Sequence, residues 1–150
     1  MPGLPLSEFS ERLSELMPEV MRGFTRRETS NLIKSRITIA QFFVLNYLLK
    51  QQETMMKDVA RFLNVTTAAA TGIVDRLVNY GYLQRVFDAA DRRIIRIKLT
   101  ARGADLVKKV NLEKKKRVME VFGKLDDAER QQYLTILSRI NDILKQEPDA

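Results

Sequence analysis

Between residues 55 and 81 two helical patterns follow each other with almost no chain between them, and that restricts the fold more than any other feature of the sequence. In TMMKDVARFLN, residues Met55, Val59, Phe62 and Leu63 fall on one helical face, and Asn64 suits the left-handed conformation that stops a helix. Thr66 or Thr67 can cap a second helix at once. Ala70, Ile73, Val74 and Leu77 then form an inward stripe at i, i+3, i+4 and i+7, and Gly81 stands where a glycine closes a helix. The spacing predicts helix, tight turn and helix.

The pattern then changes period. Tyr82 to Phe87 and Arg92 to Leu99 are rich in β-branched and aromatic residues, and the polar DAAD between them reads as a hairpin connection. Ile95, Ile97 and Leu99 share one face of the second strand, with Arg92, Ile94, Arg96 and Lys98 on the other. On this reading the first face packs on the core and most of the charge stays outside.

Helices flank this centre. Phe9, Leu13, Leu16, Val20 and Phe24 predict an N-terminal amphipathic helix, which Pro18 is expected to kink or divide. Thr38 and Gln41 form a capping-box pattern, and Phe42, Phe43, Leu45 and Leu48 behind it predict a largely buried helix ending near Lys50. After Thr100 the helical period returns with Val107, Val110, Val118, Val121 and Phe122, around a charged middle, LEKKKR, read as a solvated face. Asp126 and Glu129 make a second capping box before a stripe of Tyr133, Ile136, Leu137, Ile140, Ile143 and Leu144. The expected fold class is mainly α with a small two- or three-stranded β-wing, with no internal repeat or domain-splitting linker.

Composition selects among functions for such a fold. The 150 residues are 45% hydrophobic, enough for one domain with a core, and 26 basic against 19 acidic residues give a formal charge of +7 and a pI near 9.8. That balance favours a polyanionic partner. The absence of cysteine and histidine removes disulfides, thiol chemistry, histidine bases and nearly every zinc or haem site, so no metal or cofactor is expected. No phosphate loop, nucleophile elbow or paired-carboxylate motif is present, and an enzyme is not expected. The longest apolar stretch, IAQFFVLNYLL, is interrupted and too short to span a bilayer, and the N-terminus has no signal-peptide core; a cytoplasmic location is expected.

The order helix, helix-turn-helix, hairpin and long helices describes a winged helix-turn-helix unit, in which the second helix of the pair enters the DNA major groove beside the hairpin. Over residues 58–103 the elements VARFLNV, IVDRLVNYGYLQR, DAADRR and LTARG resemble the MarR family of bacterial transcription regulators. The resemblance covers about a third of the chain, and the flanking helices fit the family plan. It implies a homodimer on a pseudo-palindromic operator, usually repressing nearby genes, with a small-molecule pocket between the dimerisation and DNA-binding parts. The corresponding division is one domain over 1–150, with a DNA-binding core at 38–100 and dimerisation helices at 1–30 and 101–150. Without cysteine or histidine, thiol-based sensing and histidine-ligated zinc sensing, both used in that family, are excluded here, leaving a small organic effector or none.

Candidate DNA contacts follow from the helical wheel. With the apolar stripe inward, residues 67–80 present Ala68, Thr71, Gly72, Asp75 and Asn79 outward, with Ala69 and Arg76 at the edge. Alanine and the threonine methyl suit thymine methyl groups, Gly72 permits close backbone approach, and only Arg76 offers bidentate guanine readout. A long basic side chain is common in the resembling family where this chain has Gly72, so shape and backbone contacts are expected to carry more weight. Thr66 and Thr67 stand at a helix N-terminus, which favours a phosphate. Arg85, Arg92, Arg93 and Arg96 form a basic wing that can bind phosphates and enter a minor groove. Asp75 would repel phosphates unless neutralised, and the expected partner is Arg92 or Arg93. The methionines read as core filler, and Met21, Phe24, Phe42 and Tyr47 are a candidate ligand pocket. The competing reading is a winged-helix module that docks its basic surface on an acidic protein.

Overall fold

A computed structural model describes residues 3–26 and 34–147. Of the segments expected to dimerise, residues 1–2, 27–30 and 148–150 lie outside the described residues. The chain divides into two compact units, Met1–Glu113 and Lys114–Ala150.

In the first unit, α1 (Leu6–Thr25) runs through Pro18 without a break. The expected division fails because proline removes only one backbone donor and its fixed φ is itself helical, leaving the remaining bonds to carry the helix. No residue of α1 is buried, and its stripe of Phe9, Leu13, Leu16 and Val20 stays in solvent. Helix α2 (Ile39–Gln51) starts at the expected capping box: the Gln41 amide donates to Thr38 Oγ1 at 3.2 Å and the Thr38 amide to Gln41 Oε1 at 2.9 Å. Phe42, Val44, Leu45 and Leu48 are buried along it, whereas Phe43 is 48% exposed, contrary to the buried run expected. Strand β1 (Glu53–Thr54) follows.

Helix α3 (Met56–Leu63) ends at Asn64, whose φ of 53° and ψ of 49° are the expected left-handed stop. Val59 and Ala60 are buried, but Phe62 is exposed and stacks on Tyr47 with ring centroids 4.4 Å apart. Helix α4 (Thr67–Asn79) buries Ala70, Val74 and Leu77, with Ile73 half-buried beside them. Its end is a two-bond cap in which the Tyr82 amide donates to the Leu77 carbonyl and the Gly81 amide to Val78, both at 2.9 Å. The turn needs Gly81 at φ +78°, where a side chain is strained.

Strands β2 (Leu83–Phe87) and β3 (Ile95–Leu99) form the hairpin, and β1 pairs with β3 on its other side, giving a three-stranded antiparallel sheet ordered β1-β3-β2. Thr100 then starts α5 (Ala101–Phe122): its hydroxyl donates to the Gly81 carbonyl at 2.6 Å and accepts from the Gly103 amide at 3.0 Å. The core gathers α2, α3, α4, the sheet and Leu106, Val107 and Val110 of α5 around Phe42, Leu45, Leu48 and Leu77.

In the second unit, α6 (Asp127–Gln146) begins at the expected box, the Asp126 amide donating to Glu129 Oε2 at 2.9 Å and the Glu129 amide to Asp126 Oδ1 at 2.8 Å. Phe122 and Tyr133 meet with centroids 5.2 Å apart. No residue of α6 is buried, and Ile136, Leu137, Ile140, Ile143 and Leu144 are all exposed.

Candidate nucleic-acid interface

The packing of α3 on α4 leaves one side of α4 bare. Ala68, Ala69, Gly72, Asp75, Arg76 and Asn79 are exposed and Thr71 half-buried, the set expected from the wheel. A Cβ built on Gly72 would meet nothing within 4 Å, so the gap there is open to a groove wall. Thr66 is the cap residue: its Oγ1 accepts from the Ala69 amide at 3.1 Å. Thr67 lies beside it in the first turn, exposed, while the Thr71 hydroxyl donates back to the Thr67 carbonyl at 2.8 Å. That bond directs the Thr71 proton into the helix and leaves its methyl group and lone pairs for other contacts.

Asp75 is paired, but with Arg85 of β2 rather than with Arg92 or Arg93. The strand register explains this correction. Arg85 stands opposite Ile97, Leu83 opposite Leu99 and Phe87 opposite Ile95, so Arg85 shares the sheet face of Ile97, which is buried, rather than that of Arg96 and Lys98. From there its guanidinium reaches α4. The alternation Leu83, Arg85, Phe87 was the signal in the sequence that placed it there. Of the apolar residues expected to fasten β3, Ile97 is buried and Leu99 half-buried, but Ile95 is 47% exposed.

The hairpin tip is organised by Asp88, which sequence reasoning left inside an undifferentiated polar connection. Asp88 Oδ1 accepts from the amides of Ala90 at 2.8 Å and Asp91 at 3.2 Å, while Oδ2 accepts from Arg96 Nε at 2.7 Å. The Arg96 bond and then the two amides hold the Asp88 carboxyl below the usual carboxylate range, and Asp88 in turn raises the Arg96 guanidinium. The connection runs over residues 88–94, longer than the expected DAAD because β3 starts at Ile95 rather than Arg92, and an aspartate opening it is a recognisable turn signal. Arg96 also lies 3.8 Å from Glu53, and Lys98 3.4 Å from it, so these two cations stay on the sheet. Arg93 holds Asp91 through its amide at 3.0 Å and its Nε at 3.2 Å, and Arg92 is exposed with no ion pair among the described residues.

Of the candidate pocket residues, Phe24 is half-buried on α1. Phe42 is 2% exposed and fills the core, Tyr47 lies under Phe62, and Met21 is 60% exposed on α1. A cleft of about 230 Å³ is lined by Lys34, Tyr82, Arg102, Asp105 and Lys109. Arg102 lies 4.9 Å above the Tyr82 ring there. Among the described residues no cluster of acidic side chains is placed to hold a metal ion, and no helix is long and apolar enough to cross a membrane.

A helix-turn-helix with a bare second helix beside an arginine-bearing hairpin defines the winged helix-turn-helix DNA-binding transcription regulators. Over residues 37–95, from the start of the core through the hairpin, the chain matches the sequence model of the MarR family. It is 26% identical over 116 residues to the HTH-type transcriptional regulator YpoP of Bacillus subtilis, covering 77% of this chain and 82% of that protein. It is 34% identical over 70 residues to the HTH-type transcriptional repressor MdtR of the same organism, covering 47% of this chain and 45% of MdtR. A MarR family protein of Bacillus stearothermophilus shares the fold at 20% identity, with a TM-score of 0.82 over 95% of this chain and all of that one.

Proposed function

We propose that two copies of this chain associate through their terminal helices and hold a pair of α4 helices on a pseudo-palindromic operator, repressing the genes beside it. The observation that carries this reading is α4: buried on one side, bare on the other, and tied by Asp75 and Arg85 to a hairpin whose tip exposes Arg92 and Arg93. In this arrangement Ala68, Thr71 and Gly72 face the major groove with Arg76 at the edge, and Thr66 and Thr67 bring the helix N-terminus to a phosphate. Arg92 and Arg93 grip the flanking minor groove and backbone. Arg85 and Arg96 act through their ion pairs, one setting the hairpin against α4 and the other bracing its tip.

Association is supported by the large apolar residues that α1 and α6 leave in water, more than a monomer ordinarily tolerates. Residues 38–100 serve as the DNA-binding core, and 1–30 and 101–150 as the dimerisation helices, of one functional unit. Two-fold symmetry then sets the half-sites about 34–36 Å apart or multiples of that. Repression is supported by the likeness to MdtR. Release by a small organic ligand has a candidate location in the cleft between Tyr82, next after the α4 cap, and the first turns of α5.

The test is binding to duplex DNA from the region upstream of the chain's own gene, titrated with salt. Affinity should fall steeply with salt, Arg92→Ala or Arg93→Ala should each weaken binding and flatten the log–log slope by about 0.9, and Lys115→Ala should do little. Absence of binding at low salt, or a negligible slope, would leave docking on an acidic protein as the reading of the basic wing.

A further inference from the structure

The hairpin ends in an apolar pair that no part of the described fold covers. Phe87 and Ile95 stand opposite each other at the last rung of the β2–β3 ladder and are 69% and 47% exposed. Exposed apolar tips invite aggregation, and a single charge at either position would have removed the hazard. Their sheet face is that of Arg85, the residue through which the hairpin touches Asp75 of α4. Phe87 lies two residues further out, about 7 Å at ~3.4 Å per residue, so it is on the helix side of the wing and past the helix contact. A helix seated in a major groove about 12 Å wide places that position at the sugar–phosphate wall between the grooves.

The charges around the pair match such a wall. Asp88 is taken up by Arg96 and two amides, and Asp91 by Arg93, while Arg92 lines the same hollow as Phe87 and carries no ion pair among the described residues. We infer that Phe87 and Ile95 form an apolar wedge that packs on the deoxyribose wall of the minor groove flanking the site read by α4, with Arg92 on the adjacent phosphate. The inference rests on the DNA-binding reading above and adds a second kind of contact to it. Sugar C–H groups offer an apolar surface, and packing on them neutralises no phosphate and releases no counterion. The wedge therefore supplies affinity that does not depend on salt.

The experiment measures duplex binding across a salt series for the wild-type chain, Phe87→Ala, Phe87→Leu, Ile95→Ala and Arg92→Ala, with thermal melts to confirm folding. Phe87→Ala should bind about tenfold more weakly at every salt concentration with the wild-type slope, Ile95→Ala should shift the same way, and Phe87→Leu should recover most of the loss. Arg92→Ala should change the slope instead. Wild-type affinity in Phe87→Ala and Ile95→Ala, or a loss accompanied by a changed slope, overturns the wedge while leaving the DNA-binding reading in place. If those variants bind DNA normally but lose self-association in sedimentation, the patch is a protein contact and the wedge is again overturned. A wild-type chain without salt-dependent binding overturns both.

Discussion

Gly103 and Gly72 lack a side chain for opposite reasons. A Cβ at Gly103 would stand 2.2 Å from the Tyr82 carbonyl oxygen and 2.9 Å from Leu99 Cδ1, so α5 can cross the end of the sheet only with glycine there; at Gly72 the space is empty to 4 Å. Gly103→Ala should therefore destabilise the fold by about 1–3 kcal/mol, and Gly72→Ala should stabilise it by about 0.5–1 kcal/mol, read as opposite shifts of the denaturant midpoint. The Asp75–Arg85 pair makes a different prediction. Both side chains are partly exposed, so breaking the pair costs about 0–1 kcal/mol of stability, yet Arg85→Ala leaves a bare carboxylate facing the phosphates. Operator affinity should drop in Arg85→Ala and recover in part in Arg85→Ala with Asp75→Ala, a coupling that a double-mutant cycle measures. The need to neutralise Asp75 was legible from its position on the wheel. Its partner was missed: the alternation Leu83, Arg85, Phe87 groups Arg85 with the apolar face of β2, but it took the register with Ile97 to show that this face turns toward α4.

At the scale of elements, the boundaries were the most legible part of the sequence. Thr38 with Gln41, Asp126 with Glu129, Asn64 and Gly81 all act where expected, because caps and left-handed stops are set by chemistry within a few residues of chain. Phe43, Phe62 and Ile95 misled for the converse reason: periodicity shows which residues share a face, but whether anything covers that face depends on distant chain. The wing carries its own pH dependence. Asp88 titrates below its ordinary range in the fold, so its bonds contribute fully above the ordinary carboxylate value and are lost as pH falls through the lowered one. Protection of the Ala90 and Asp91 amides from hydrogen exchange should accordingly decline in that acid window, and Asp88→Asn should abolish the dependence.

At the scale of the whole molecule, the apolar residues divide into those buried around α2–α4 and those left in water on α1 and α6. The N-terminal stripe and the cleaner C-terminal one were both visible in the sequence, and the structure leaves both uncovered within one chain. A chain ending at residue 125 should lose discrete dimers in sedimentation experiments and bind its operator far more weakly, since two linked reading helices gain from effective concentration what one cannot. Thr100 determines how such a dimer can behave. With the Thr100 amide donating to the Tyr82 carbonyl at 3.1 Å and its hydroxyl bonding both Gly81 and Gly103, the cap of α4 and the first turn of α5 are fastened within a single residue. In the proposed dimer a tilt of α5 would be passed to α4 through these bonds, so a partner or small molecule pressing on the long helix would act as a lever on the spacing of the two reading heads, without melting either one.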